Sequence, residues 1–179
     1  MPLVTVQGAT MPISQEFIDL LVDIVHAPAS TTTITESWQA VKMQASNPYV
    51  ISKLMDLALV SIDMMIAQTD SVTREHIAHT MSDLHRRKNA GYAGLSSDPW
   101  ANFREATAFG ISAYMGVLVR LSDKYQRYTN LNTNPALDMV QESINDTLID
   151  IASYALIAVC LYNEQRKQED ACFTASFGA

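Results

Sequence analysis

The stretch VQESINDTLIDIASYALIAVCLY, residues 140–162, decides how this chain folds. It is mostly apolar, yet it places Glu142, Asp146 and Asp150 four residues apart. On a helix, residues at this spacing lie along one side, ~6 Å from each other. We call these three carboxylates the acidic ladder. Like charges so close together need a counterion, either a basic partner helix or a hard cation such as Mg²⁺.

Apolar residues at helical spacing recur along most of the chain, and they predict an all-α bundle of about five helices. The first helix is predicted from Ser14 to His26, and the fourth from about Ser112 to Thr129. The predicted starts of the second, third and last helices are Pro48, Asp70 and about Ala136. Loops are predicted for the Ser- and Thr-rich residues 29–35 and for residues 89–103, and residues 1–12 are expected to form an edge strand or an extended segment.

Composition and charge limit the classes of function. Of the 179 residues, 48% are hydrophobic, which is typical of a globular protein that buries ~70% of the surface its unfolded chain exposes. The net charge of −7 disfavours binding to duplex nucleic acid, because phosphate neutralisation needs clustered Lys and Arg. A small phosphorylated ligand held by a local basic group remains compatible with this charge.

The two cysteines and the apolar segments predict the compartment. Cys160 and Cys172 make no disulfide framework, which favours a reducing environment. The apolar stretch 149–162 has the length of a buried core helix and contains Asp150, and the first residues lack the basic start of a signal peptide. We therefore expect a cytoplasmic protein without a membrane partner.

A stripe of charged residues follows the predicted fourth helix. Arg120, Asp123, Lys124 and Arg127 are spaced i, i+3, i+4 and i+7. The short loop to the last helix predicts antiparallel packing, which turns this stripe toward the acidic ladder. Two interpretations are open: interhelical salt bridges without a ligand, or a divalent ion and the triphosphate of a nucleotide held between the two helices.

The segment RRKNAGYAG, residues 86–94, is a second group of candidate functional residues. Its three cations would suit the end of a helix, where they oppose the helix dipole. In the functional interpretation, Lys88 contacts a phosphate and Asn89 a base or sugar, while Tyr92 or Trp100 stacks on a ring and Asn102 adds a second amide. The three histidines of the third helix, His85 among them, are predicted to be surface residues.

Five motifs in this order resemble a known family. They are RKNxxY (87–92), NF (102–103), FG (109–110), RLxDKxxR (120–127) and ESIxDTxxDxxxYA (142–155). Together they look like the nucleotide modification associated domain of the first type, which is similar to the all-α NTP pyrophosphohydrolases of the MazG and dUTPase kind. The resemblance covers about residues 84–161. It implies a nucleotide ligand, sites at the subunit interfaces of a homodimer or homotetramer, and the cytoplasm of a bacterium or of a phage-infected host.

The resemblance also implies roles for single residues. Glu142 and Asp146 match the second acidic pair of the pyrophosphohydrolases, and Asp150 assists. The first pair, Glu-x-x-Glu, is absent, and Asp123 is the acid on the preceding helix.

The predicted function is a Mg²⁺-dependent pyrophosphohydrolase acting on a (d)NTP or modified nucleotide. The predicted roles are metal binding by Asp123, Glu142 and Asp146, catalysis by Asp146 and Asp150, and substrate binding by Lys88, Asn89, Tyr92, Asn102, Arg120, Lys124 and Arg127. The alternatives are a non-catalytic protein that sequesters or senses a nucleotide, and a purely structural helical oligomer. The predicted regions are an N-terminal helical extension or oligomerisation region (1–70), a nucleotide-binding helical domain (71–170) and a mobile tail (171–179).

Overall fold

The computed structural model describes residues 5–6, 9–10, 13–68, 71–93, 96–137 and 143–177. The predicted all-α class is confirmed, although the described residues form seven α-helices rather than about five. The helices are α1 (Gln15–His26), α2 (Ile34–Gln44), α3 (Val50–Ile66), α4 (Arg74–Ala93), α5 (Ala101–Arg104), α6 (Ala113–Thr133) and α7 (Ile144–Phe177). Short 3₁₀ helices cover Glu105–Phe109 and Pro135–Leu137, and strands β1 (Thr5–Val6) and β2 (Ala9–Thr10) pair antiparallel. The predicted cap at Asp70 and the ladder residue Glu142 lie outside the described residues.

Helix α2 is absent from the prediction because its start lies inside the Ser- and Thr-rich run. Thr33 and Glu36 form a capping box: the Glu36 amide donates to the Thr33 hydroxyl at 3.2 Å, and the Thr33 amide donates to the Glu36 carboxylate at 2.8 Å. Such reciprocal bonds satisfy the first amides of a helix. Residues that favour loops by composition therefore begin a helix here.

Two predicted boundaries are wrong in ways that affect the site. Helix α4 continues to Ala93, through the loop predicted from Asn89, so the cations 86–88 lie inside a helix rather than at its end. Helix α7 begins at Ile144, not near Ala136, because Ser143 and Asp146 cap it there. At its other end α7 extends to Phe177, through the predicted tail.

Helix α7 is the central element of the core. Leu148, Ile151 and Leu156 are fully buried, and α3 packs along the same helix. Met65 of α3 is also buried, and Met55 and Met64 of the same helix pack against the core.

Helix α6 packs antiparallel to α7, as predicted. The Tyr114 and Tyr162 rings lie 5.1 Å apart at one end of the pair. Further along, Lys124 contacts Asp150, and Arg127 Nε donates to the Thr147 hydroxyl at 3.3 Å. Successively later residues of α6 therefore contact successively earlier residues of α7, so the two helices run antiparallel.

By length and composition alone, α7 could cross a membrane: residues 144–175 include an 18-residue window of mean hydropathy 1.6. Within the protein, 67% of that window is buried. The same burial is found in the core helix of a soluble protein, so the compartment stays a prediction.

Arg74 fastens the start of α4 to the ends of α1 and α3. Its guanidinium donates to Asp63 Oδ1 at 2.9 and 2.7 Å. It also donates to the carbonyls of Ile24, in the last turn of α1, and of Ala27 and Pro28, just after the helix. One half-buried side chain therefore holds three helices in register.

Candidate functional site

A cavity of about 340 Å³ opens between α4, α5, α6 and α7. This volume is at the small end of the range typical of ligand pockets. The lining residues are Leu84, His85, Lys88, Asn89 and Tyr92 of α4, Asn102 and Phe103 of α5, Arg120 and Lys124 of α6, and Asp150, Ser153, Tyr154 and Ile157 of α7. On each long helix they recur from one turn to the next (i, i+3 or i+4), so each helix contributes a single face.

Asp150 is the charged centre of the cavity. Its side chain is only 4% exposed, and its two oxygens bind Lys88 Nζ at 2.5 Å and Lys124 Nζ at 2.7 Å. A buried carboxylate is tolerated when it is paired in this way. The two ammonium groups, which come from helices α4 and α6, therefore meet at one carboxylate of α7.

Arg120 adds a third cation. It lies one turn before Lys124 on α6, and its guanidinium stands over the Phe103 ring at 5.1 Å. Arg120, Lys88 and Lys124 against Asp150 leave the lining with a formal charge of +2. The cavity is cationic in a protein whose net charge is −7.

The structure brings most of the predicted substrate-binding residues together. Lys88, Asn89, Tyr92, Asn102, Arg120 and Lys124 all line the cavity, with Asp150 among them. Arg127 does not line it and donates to Thr147 instead. Tyr92 is 72% exposed at the rim, whereas Trp100, the other aromatic candidate, is buried against Phe17 and Phe103.

Asp123 and Asp146 do not assemble with Asp150. Asp146 is exposed and caps α7, since Ser143 donates to Asp146 Oδ2 from its amide at 3.0 Å and from its hydroxyl at 2.7 Å. Asp123 is exposed and lies outside the cavity lining. Glu142 is not among the described residues, so its predicted role stays a prediction.

The donor set in the described part of the chain does not fit a magnesium ion. Mg²⁺ needs oxygen ligands, usually one or two carboxylates with substrate phosphates. Asp150 is the only carboxylate among the described lining residues, and both of its oxygens face lysines. Among these residues no three His, Cys, Asp or Glu side chains form a group that could hold a metal.

His85 is buried, not on the surface as predicted. Its ring stacks on Phe17 at 4.9 Å and lies 5.4 Å from Trp100. Burial, assisted by the neighbouring positive charge of Arg86, lowers the pKa of His85 to about 4. The imidazole is therefore neutral at pH 7.

His85, Ser153 and Tyr154 are cavity residues that the sequence analysis missed. Helical spacing was the available signal. His85 precedes Lys88 by three residues, and Ser153 and Tyr154 follow Asp150 by three and four. Extending each candidate by one turn in both directions would have found all three.

Comparison with known proteins adds no assignment. The chain matches no family model, no curated protein and no solved structure. The resemblance to the nucleotide modification associated domain stays a prediction that rests on the five motifs.

Proposed function

We propose that this protein binds a nucleotide in the α4–α7 cavity without a metal ion, the phosphate lying against Lys88, Lys124 and Arg120. The observation that carries the proposal is the meeting of two lysines at one buried carboxylate, in a cavity that Arg120 also lines. Each lysine is on a different helix, so the arrangement depends on the fold and not on a local charge run. A nucleotide is also the ligand that the sequence motifs imply.

Charge matching favours a monophosphate over a triphosphate. A phosphomonoester carries a charge of about −1.5 to −2 at pH 7, which equals the formal charge of the lining in magnitude. A triphosphate carries more negative charge than the lining can neutralise, and it would need a cation of its own. The proposed ligand is therefore a nucleoside monophosphate.

The remaining lining suits the rest of a nucleotide. Phe103 and Tyr154 pack edge to face, with their ring centroids 6.3 Å apart, and Leu84 and Ile157 add apolar surface. Aromatic and aliphatic side chains of this kind bury the faces of planar rings. Tyr92 at the rim supplies a further ring on the solvent side.

Isothermal titration calorimetry in EDTA tests the proposal. We expect at least one nucleoside monophosphate to bind, and the corresponding triphosphate to bind more weakly unless Mg²⁺ is added. Arg120→Gln should weaken binding about tenfold, since a hydrogen bond to a charged group contributes ~1.5 kcal/mol. The matched control is Lys53→Gln, because Lys53 is an exposed cation paired with Asp56 outside the cavity. Failure of every nucleotide to bind in EDTA would contradict the proposal.

Hydrolysis of a nucleoside triphosphate that brings its own Mg²⁺ is the second candidate, and Asp150 is the observation that favours it. A buried carboxylate beside cations is the type of group that activates water next to a bound phosphate. The reaction would consume one water and convert a nucleoside triphosphate into a monophosphate and pyrophosphate. Incubation with mixed NTPs and dNTPs and Mg²⁺, followed by mass spectrometry, decides between the candidates: a monophosphate that forms only with metal establishes the enzyme, and an untouched pool leaves the binding protein.

The predicted homodimer or homotetramer belongs to the same proposal. Size-exclusion chromatography with light scattering, with and without the nucleotide that calorimetry identifies, measures the oligomeric state directly.

A further inference from the structure

Among the cavity residues, His85 Nε2, Asn102 Oδ1 and Ser153 Oγ are buried polar atoms without a hydrogen-bond partner within the described part of the chain. Nearly all buried polar groups in native proteins are hydrogen-bonded, and one left without a partner costs ~1–3 kcal/mol. All three belong to residues that line one cavity, so a ligand in the cavity would give them partners once these side chains turn toward it.

The chemistry of these atoms differs from that of the cationic group. A neutral imidazole has one donor and one acceptor nitrogen, a serine hydroxyl can do both, and an asparagine carbonyl oxygen accepts. His85 is neutral at pH 7, so none of the three side chains carries a charge. They therefore suit an uncharged edge that presents donors and acceptors, and they do not suit a phosphate.

The neutral and the charged lining residues are one turn apart on α4 and on α7. On α4, His85 is one turn from Lys88, and on α7, Ser153 is one turn from Asp150. One turn spans ~5 Å along a helix axis, which is within the reach of a single nucleotide. One ligand can contact both sets of groups at the same time.

We propose that His85, Asn102 and Ser153 bind the hydrogen-bonding edge of the nucleobase and so determine which base the cavity accepts. This inference rests on the proposed nucleotide binding. A base that presents the wrong pattern leaves buried polar groups unpaired on both sides, which is the strongest way for a site to reject a near-isosteric ligand. The cations hold the phosphate whatever the base, and these three residues discriminate between bases.

The test compares affinities for nucleoside monophosphates of the different bases with the affinity for ribose 5-phosphate, an abasic probe. All titrations contain EDTA. We expect the wild type to bind one monophosphate at least tenfold more tightly than the others and than ribose 5-phosphate. Ser153→Ala and Asn102→Ala should each reduce the ratio of nucleotide affinity to ribose 5-phosphate affinity at least fivefold. The matched control Ser122→Ala, an exposed serine of α6, should leave the ratio unchanged.

Three outcomes would overturn the inference. If ribose 5-phosphate binds as tightly as every nucleotide, the base makes no contribution. If both variants keep the wild-type preference among bases while their melting curves show a folded protein, water or another residue satisfies these atoms. If no phosphorylated probe binds at all, the proposed function fails together with the inference. The first two outcomes leave nucleotide binding intact, so the two failures are distinguishable.

Discussion

Replacement of Asp150 by asparagine separates the structural and the functional roles of the cationic cavity. Asparagine has the same shape but no charge, so it keeps the packing of a side chain that is 4% exposed. It loses the ionic part of the contacts to Lys88 and Lys124. Stability and phosphate affinity should change in opposite directions.

The loss of stability follows from the burial of the three groups. Removing one member of a fully buried ion pair costs ~3–5 kcal/mol. Lys88 and Lys124 are 42% and 25% exposed, so their ammonium groups can turn toward water, and the cost falls to ~2 kcal/mol. In a chain of this length the melting temperature should drop by ~4–8 °C.

The gain in affinity follows from the charge of the lining, which rises by one unit. A unit charge 4 Å away contributes ~1 kcal/mol in water and ~4 kcal/mol near a protein surface. We take the lower value because Lys88 and the rim residue Tyr92 expose the cavity to solvent. A nucleoside monophosphate should therefore bind about fivefold more tightly in EDTA, since ~1 kcal/mol corresponds to that ratio.

Urea denaturation and calorimetry on Asp150→Asn measure the two effects. Asp56→Asn is the control, because Asp56 forms an exposed pair with Lys53 and should cost less than ~0.5 kcal/mol. Unchanged stability would contradict the account of Asp150 as the anchor of both lysines. Weaker binding of the monophosphate would show that the carboxylate holds the ligand by positioning the cations.

Three further predictions concern single residues. The His85 pKa is lower in the folded protein, so only the unfolded chain gains the proton between pH 6.5 and about 4. Up to ~3 kcal/mol of stability that is present above pH 6.5 is therefore lost as the pH falls through this range. The free energy of unfolding, measured at several pH values, should depend less on pH for His85→Gln than for the wild type. Asp146→Asn should lower the free energy of unfolding by ~1 kcal/mol, because Asp146 completes the cap with Ser143. Nucleotide affinity, measured by calorimetry, should stay unchanged. Loss of binding would restore the predicted role of Asp146 at the site. Arg74→Ala should cost ~3 kcal/mol in urea denaturation, because loss of the half-buried guanidinium removes the donor to Asp63 Oδ1 and to the carbonyls at the end of α1. A cost below ~1 kcal/mol would show that these contacts do not hold the helices together.

The sequence predicts the fold class well because helical periodicity records which side of each helix is buried. It locates boundaries less well, because capping depends on a few specific bonds. Thr33 and Glu36 form a capping box inside a run whose composition favours a loop, and Ser143 with Asp146 places the start of α7 later than the apolar pattern does. The pattern Thr-x-x-Glu was visible in the sequence and would have indicated α2.

The sequence likewise indicated some residues of the candidate site and gave no signal for the environment of others. Lys88, Arg120 and Lys124 were found because clustered charge stands out in the sequence. Antiparallel packing of α6 and α7 brings Lys124 to Asp150, and the packing of α4 adds Lys88. Four-residue spacing does not distinguish a site carboxylate from a cap, and in the structure Asp146 caps α7. The burial of His85 depends on Phe17 of a distant helix, and no local pattern indicates that contact.

A crystal structure of the protein with a nucleoside monophosphate in EDTA tests the central claim most directly. The account predicts phosphate oxygens within hydrogen-bond distance of Lys88 Nζ, Lys124 Nζ and the Arg120 guanidinium, with the base edge against His85, Asn102 and Ser153. A nucleotide bound elsewhere on the protein, or one that occupies this cavity only when Mg²⁺ is present and coordinated by Asp150, would contradict it.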